Sequence, residues 1–125
     1  MRILVVDDEP AIARLFSQRF RREIRDGLLE FVYAGSGEEA VGLFDASKAD
    51  IVMILSDINM PGMSGLELLE NIRKTDDKTP IYMISAYEND QYSRLSQEKG
   101  ANGFIPKPLD FTELRDLFNL DDKSR

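Results

Sequence analysis

The chain has 125 residues, enough for one domain with a single core, and its 42% apolar and 31% charged content is that of a soluble globular protein rather than a disordered tail. A net charge of −7 argues against direct nucleic-acid binding, which needs a basic surface, and no apolar stretch approaches the roughly 18 residues of a membrane span. With no Cys and no His, disulfides, thiolate nucleophiles, zinc–thiolate sites, imidazole bases and Ser-His-Asp triads are all excluded. What remains is carboxylate, hydroxyl, lysine and arginine chemistry, which best suits a hard cation.

The N-terminus shows no leader pattern and runs into the apolar stretch Ile3-Leu4-Val5-Val6, so a cytoplasmic setting is expected. That strand ends at Asp7-Asp8-Glu9-Pro10, and Pro10 suits the first turn of a helix. Ile12, Leu15, Phe16, Phe20 and Ile24 then recur at helical spacing, with Gly27 as the stop. Phe31-Val32-Tyr33 reads as a second strand. Ser36 with Glu39 forms a capping box before Ala40, Val41, Leu43 and Phe44. The run Ile51-Val52-Met53-Ile54-Leu55 is a third, buried strand that delivers Asp57 into a turn containing Pro61 and Gly62. Ser64 with Glu67 repeats the capping box ahead of Leu66, Leu68, Leu69 and Ile72. Pro80 to Ile84 is a fourth strand ending at Ser85-Ala86. Asn89 to Lys99 gives the least apolar helix, with Tyr92 and Leu95 on its inner side and Gly100 as its stop. Gly103-Phe104-Ile105 is a fifth strand, followed by Pro106-Lys107-Pro108. Asp110 with Glu113 caps a last helix carrying Phe111, Leu114, Leu117 and Phe118. Residues 1–120 thus form one domain, and 121–125 a polar tail or the start of a linker.

Five strand–helix units require an α/β fold with a doubly wound parallel sheet, helices on both faces. Periodicity alone does not give the strand order. Ligands in such sheets sit beyond the carboxyl ends of the strands. Asp7 and Asp8 follow strand one, Asp57 strand three, Ser85 strand four and Lys107 strand five, so the polar residues converge on one edge. Three carboxylates brought together must protonate or share a cation, and Mg²⁺ is the abundant hard choice. A magnesium site that also holds phosphate oxygens performs phosphoryl transfer. Lys107 offers a compact positive charge to such a group and Ser85 a hydroxyl donor. In the absence of His and Cys the available nucleophile is a carboxylate, and Asp57 on the middle strand is the candidate.

These motifs resemble the receiver (CheY-like) domain of two-component response regulators over essentially the whole chain. They are the acidic pair in Val5-Val6-Asp7-Asp8-Glu9, Asp57 within Ser56-Asp57-Ile58-Asn59-Met60-Pro61-Gly62-Met63-Ser64-Gly65, Ser85-Ala86, and Phe104-Ile105-Pro106-Lys107-Pro108. The resemblance implies a flavodoxin-like (βα)5 sheet of order 2-1-3-4-5, with Asp8 and Asp57 at the topological switch point. It implies a phosphorylation-dependent switch, not an enzyme in the usual sense, although it assists its own phosphorylation and dephosphorylation. Asp57 would accept a phosphoryl group from the phosphohistidine of a histidine kinase or phosphotransfer protein. Mg²⁺, with Mn²⁺ as an alternative, would be held by Asp8, Asp57 and the backbone carbonyl of Asn59, with Asp7 acting through water. Lys107, Ser85 and the backbone N–H of Ala86 would contact the phosphoryl group, and the Lys107–Pro108 bond would be cis. Ser85 and Phe104 would form the switch pair, read by an effector domain or protein at the face of the fourth helix, fifth strand and last helix, where a homodimer would also form. Asn59 and Tyr87 would tune dephosphorylation. Here Ser85 stands where the family more often has Thr, and Phe104 where Tyr is frequent.

Taken singly, these residues read more plainly. Asp7 or Asp8 would cap a helix, Lys107 would be a solvated loop lysine, Ser85 a satisfied strand-end hydroxyl and Phe104 a core aromatic. Arg14, Arg19, Arg21, Arg22 and Arg25 read as a solvated face of helix one, or, more sharply, as a docking patch for an acidic partner. Two rivals are weaker. A haloacid-dehalogenase-like phosphatase needs a second acid two residues beyond its nucleophile, where this chain has Asn59, which cannot transfer a proton. A flavodoxin-like cofactor binder needs a phosphate-cradling loop after strand one, where Asp7-Asp8-Glu9 would repel the phosphate. A degenerate receiver used only for binding is a third reading, set against a complete set of site residues.

Overall fold

The computed structural model describes residues 1–86 and 90–120. The strands are β1 (Arg2–Val6), β2 (Glu30–Ala34), β3 (Ile51–Asp57), β4 (Ile81–Ser85) and β5 (Gly103–Pro106). The helices are α1 (Pro10–Arg19), α2 (Arg21–Arg25), α3 (Gly37–Ser47), α4 (Gly65–Arg73), α5 (Asp90–Glu98) and α6 (Phe111–Leu117). All strands are parallel, in the order β2-β1-β3-β4-β5. This is the flavodoxin-like arrangement expected, and β1 and β3 meet at its switch point. The tail 121–125, Asn89 and Tyr87 lie outside the described residues.

Alternation along the strands sorts the core into two layers. Leu4, Val6 and Ile54 face α3 and α4, where they pack with Ala40, Phe44, Leu68, Leu69 and Ile72. Ile3, Val5, Met53 and Leu55 face the other way, onto Phe16 of α1, Leu114 of α6, and Phe20 and Phe118 at the C-caps of those two helices. Phe16, Phe20, Phe31, Phe111 and Phe118 form a contiguous aromatic cluster there, with ring centroids 5.2–6.1 Å apart.

Four sequence expectations are corrected. The single helix expected from Pro10 to Gly27 is divided at Phe20, which leaves helical geometry (φ −114°, ψ 24°). Helical hydrogen bonding nevertheless runs through the break, because the Phe20 N–H donates to Phe16 O and the Ile24 N–H to Phe20 O. Beyond the break the apolar stripe loses register. Ile24 is 36% exposed, whereas Glu23 is buried and salt-bridged to Arg115 of α6. Val52, placed in a buried run, is 44% exposed. It is skipped in the β1–β3 ladder, where Arg2 pairs with Ile51 and Ile3 with Met53, so this extra residue is turned outward. The capping box expected at Ser36 is half-built: Ser36 Oγ accepts the Glu39 N–H at 3.1 Å, but the Glu39 carboxylate accepts from the Gly35 N–H instead.

By contrast, Ser64 and Glu67 form the full reciprocal box, fixing where α4 begins after β3. A Cβ at Gly65 would lie 2.1 Å from the Asp57 carbonyl oxygen, so only glycine lets α4 start this close to the end of β3. The Gly65 N–H closes the loop onto Ile58 O at 2.8 Å. From α3, the Glu38 carboxylate braces the same loop by accepting the Met63 N–H at 3.3 Å.

The loop from α4 to β4 is held by Asp76. Its carboxylate accepts the N–H groups of Thr79 (2.9 Å) and Lys78 (2.8 Å) and the Thr79 hydroxyl (2.8 Å), and these donors hold its pKa down at about 2. Because the folded value lies below the unfolded one, this contribution is complete above about pH 4 and is lost as pH falls toward 2. Chemical denaturation of the wild type and Asp76→Asn between pH 2 and 7 should therefore show a stability gap that closes at the acid end. At neutral pH the gap should be about 1–3 kcal/mol.

Candidate functional site

Asp57 is the last residue of β3, Asp7 and Asp8 directly follow β1, Ser85 ends β4, and Lys107 follows β5. Strands β1 and β3 are neighbours, so the three carboxylates have to meet at the same edge. One oxygen of each of Asp7, Asp8 and Asp57 lies within 4.8 Å of the others. Lys107 Nζ reaches Asp7 Oδ2 at 3.3 Å and Asp57 Oδ2 at 3.5 Å. Asp57 is 6% exposed, Asp7 is half-buried and Asp8 faces solvent.

Backbone contacts set these positions. The Asp7 N–H donates to Ala34 O at 3.0 Å, tying the end of β1 to β2. Asp7 Oδ1 accepts the Glu9 N–H at 2.9 Å, fixing the turn into α1. The Lys107 N–H donates to Ser85 O at 2.9 Å, which carries the β4–β5 ladder beyond its last strand pair. The Lys107–Pro108 peptide bond is cis.

Electrostatically the cluster is under-neutralised. At an effective dielectric of about 20, unit like charges roughly 5 Å apart repel by about 3 kcal/mol. Burial pushes the Asp57 carboxyl above its ordinary value; Lys107 opposes this, Asp7 adds to it, and the Asn59 backbone N–H favours the charged form. Burial works against the Lys107 charge, but Asp57 and Asp7 outweigh it, and its pKa is raised. Counted at their formal charges, three carboxylates and one ammonium sum to −2. A divalent cation cancels it, and an all-oxygen donor set partly open to water suits Mg²⁺.

The remaining expected residues sit at varying distance from this centre. Ser85 is fully buried, and the exposed Asn59 places its amide nitrogen 3.4 Å from Ser85 Oγ. Ala86 is exposed beside it. Phe104 is half-buried on β5, packed against the α3–α4 core, and it borders a cavity of about 210 Å³ with Ser93, Ser96 and Asn102. It lies beside the centre rather than in it. Sequence reasoning missed the bracing role of Glu38, a residue with no motif to mark it.

Residues 3–119 match the family model described as the response regulator receiver domain. The chain is 34% identical over 119 residues to the transcriptional regulatory protein YkoG of Bacillus subtilis, an alignment covering 90% of this chain and 46% of that protein. It is 31% identical to sporulation initiation phosphotransferase F of the same organism, over 92% of this chain and 88% of that protein. The chain thus spans less than half of the first relative and most of the second. Among solved structures, the response regulator TrrA of Thermotoga maritima in complex with Mg²⁺-BeF superimposes with a TM-score of 0.77 at 34% identity, covering 94% of this chain and 96% of that one. With its sheet order and nearly its whole length accounted for, the chain belongs to the response regulator receiver domains, and with them to phosphorylation-dependent two-component signalling.

Proposed function

We propose that Asp57 is the phosphoacceptor of a switch charged by the phosphohistidine of a histidine kinase or phosphotransfer protein. The observation that carries this reading is the Asp57 carboxylate, at the end of the central strand, sharing Lys107 with Asp7 and crowded by Asp8. A carboxylate oxygen of Asp57 attacks phosphorus, the P–N bond to the donor imidazole breaks, and the leaving nitrogen keeps the electron pair and takes up a proton. Asp8, Asp57 and the Asn59 carbonyl would hold Mg²⁺, with Asp7 joined through water, and the ion would neutralise charge on the transferring oxygens. The structure of TrrA in complex with Mg²⁺-BeF supports the metal part of this reading at the level of the family.

Lys107 pairs with one phosphoryl oxygen, and the Ala86 N–H and Ser85 hydroxyl donate to others. Phosphorylation adds about −1.5 to −2 charge and new acceptor oxygens, stronger partners for Ser85 than the 3.4 Å contact from Asn59. Ser85 then moves toward the phosphoryl group, and the Phe104 ring has the adjoining cavity to move against. The change is read by an effector at the face of α5, β5 and α6. Reversing a two-state population from about 1:99 to 99:1 takes about 5.5 kcal/mol, within reach of a few charge-assisted hydrogen bonds. Asn59 in place of a general acid–base makes Asp57 a store of the phosphoryl group rather than a turnover nucleophile.

With Mg²⁺ and a small acyl-phosphate donor, the intact mass should rise by one phosphoryl group, and Asp57→Asn should abolish the gain. Unchanged labelling of that variant would sink the assignment. Lys107→Ala removes positive charge from an acidic site, so Mg²⁺ affinity, read by titration, should be kept or tightened by up to about tenfold. The same variant should lose the phosphorylation-dependent spectral changes around Phe104. Retention of those changes would make Lys107 a bystander.

A further inference from the structure

At the end of the molecule away from the carboxylates, α1, α2 and α6 surround an open cavity of about 580 Å³. Its lining carries Arg19, Arg21, Arg22, Arg25 and Arg115 against a single acid, Glu23, with the Gln18 amide alongside. Five positive charges against one give +4 in a chain of net −7, so the remaining surface carries −11. A concentration of one sign this far from the chain's balance is more than a solvated helix face requires.

Parts of the cavity are preorganised. The Arg19 guanidinium lies 5.1 Å from the Phe111 ring centroid and that of Arg115 lies 5.7 Å from Phe20. Buried Glu23 holds Arg115 against α2. Arg25 pairs with Asp26 in an exposed contact, and among the described residues no ion pair involves Arg21 or Arg22. No apolar side chain belongs to the lining. That disfavours a protein hot spot, which needs an apolar or aromatic anchor, and equally a ligand with a base to stack. Guanidinium forks match phosphate oxygens in bidentate geometry.

We propose that this cavity binds a compact anion carrying several phosphoryl groups, at a site separate from Asp57. The proposal does not depend on the phosphoacceptor reading. The test is calorimetric titration of the whole chain with inorganic tripolyphosphate, without Mg²⁺ and at near-physiological salt, combined with amide chemical-shift mapping. The expected result is saturable one-to-one binding with shifts confined to Gln18–Asp26 and the neighbourhood of Arg115. Affinity should fall at least tenfold in Arg21→Ala/Arg22→Ala, whose exposed substitutions should leave the thermal midpoint unchanged. Orthophosphate should bind much more weakly. Shifts centred on Asp57 and Lys107, binding indifferent to the double substitution, equal affinity for orthophosphate, or no saturable binding would each overturn the proposal. Saturable binding of a glutamate-rich peptide with none by tripolyphosphate would overturn it too, making the cavity a docking site for an acidic protein segment.

Discussion

Repulsion between carboxylates is the interaction around which the rest is arranged. A parallel sheet of order 2-1-3-4-5 sets the end of β1 beside the end of β3, so Asp7 and Asp8 cannot avoid Asp57. Lys107, delivered from β5, relieves part of the repulsion and no more. The residual charge of the cluster favours whatever brings positive charge with it, a divalent cation above all. The family to which the chain belongs is therefore intelligible as electrostatics: the site is assembled in a state that binding improves.

Geometry around that centre is fixed where it must be and loose where it can be. The full capping box at Ser64, the close approach allowed by Gly65 and the brace from Glu38 hold the loop after Asp57 from three sides. Ser85 is buried with the Asn59 amide nitrogen 3.4 Å from its hydroxyl, and Phe104 has a cavity beside it. The stiff part positions Asp57, and the part with room to shift lies toward α5 and β5.

Much of this was legible in the residue order. Strand ends followed by Asp, Ser or Lys give the convergence of the site, because parallel connections bring all carboxyl ends to one edge. The strand order was not readable from periodicity and rested on resemblance. Other features depended on tertiary partners that local pattern cannot see. Glu23 occupies a buried position because Arg115, 92 residues away in sequence, neutralises it, and Ile24 is displaced to the surface in consequence. Val52 turns outward through a register shift with β1, and Glu39 turns from its own N-cap to the Gly35 N–H. The five arginines noted in the sequence also divide: four of them join Arg115 around a cavity, while Arg14 does not line it.

The proposed function requires that the carboxylate at position 57, and no neighbouring hydroxyl, receive the phosphoryl group. Borohydride reduction of the phosphorylated chain, followed by peptide sequencing in a mass spectrometer, tests it most directly, because an acyl phosphate is reduced to the alcohol whereas a serine phosphate is not. Homoserine in place of Asp57, with Asp7, Asp8, Ser56 and Ser85 unmodified, is the expected result. Intact aspartate at position 57 together with a phosphoryl group retained on Ser56 or Ser85 would contradict it.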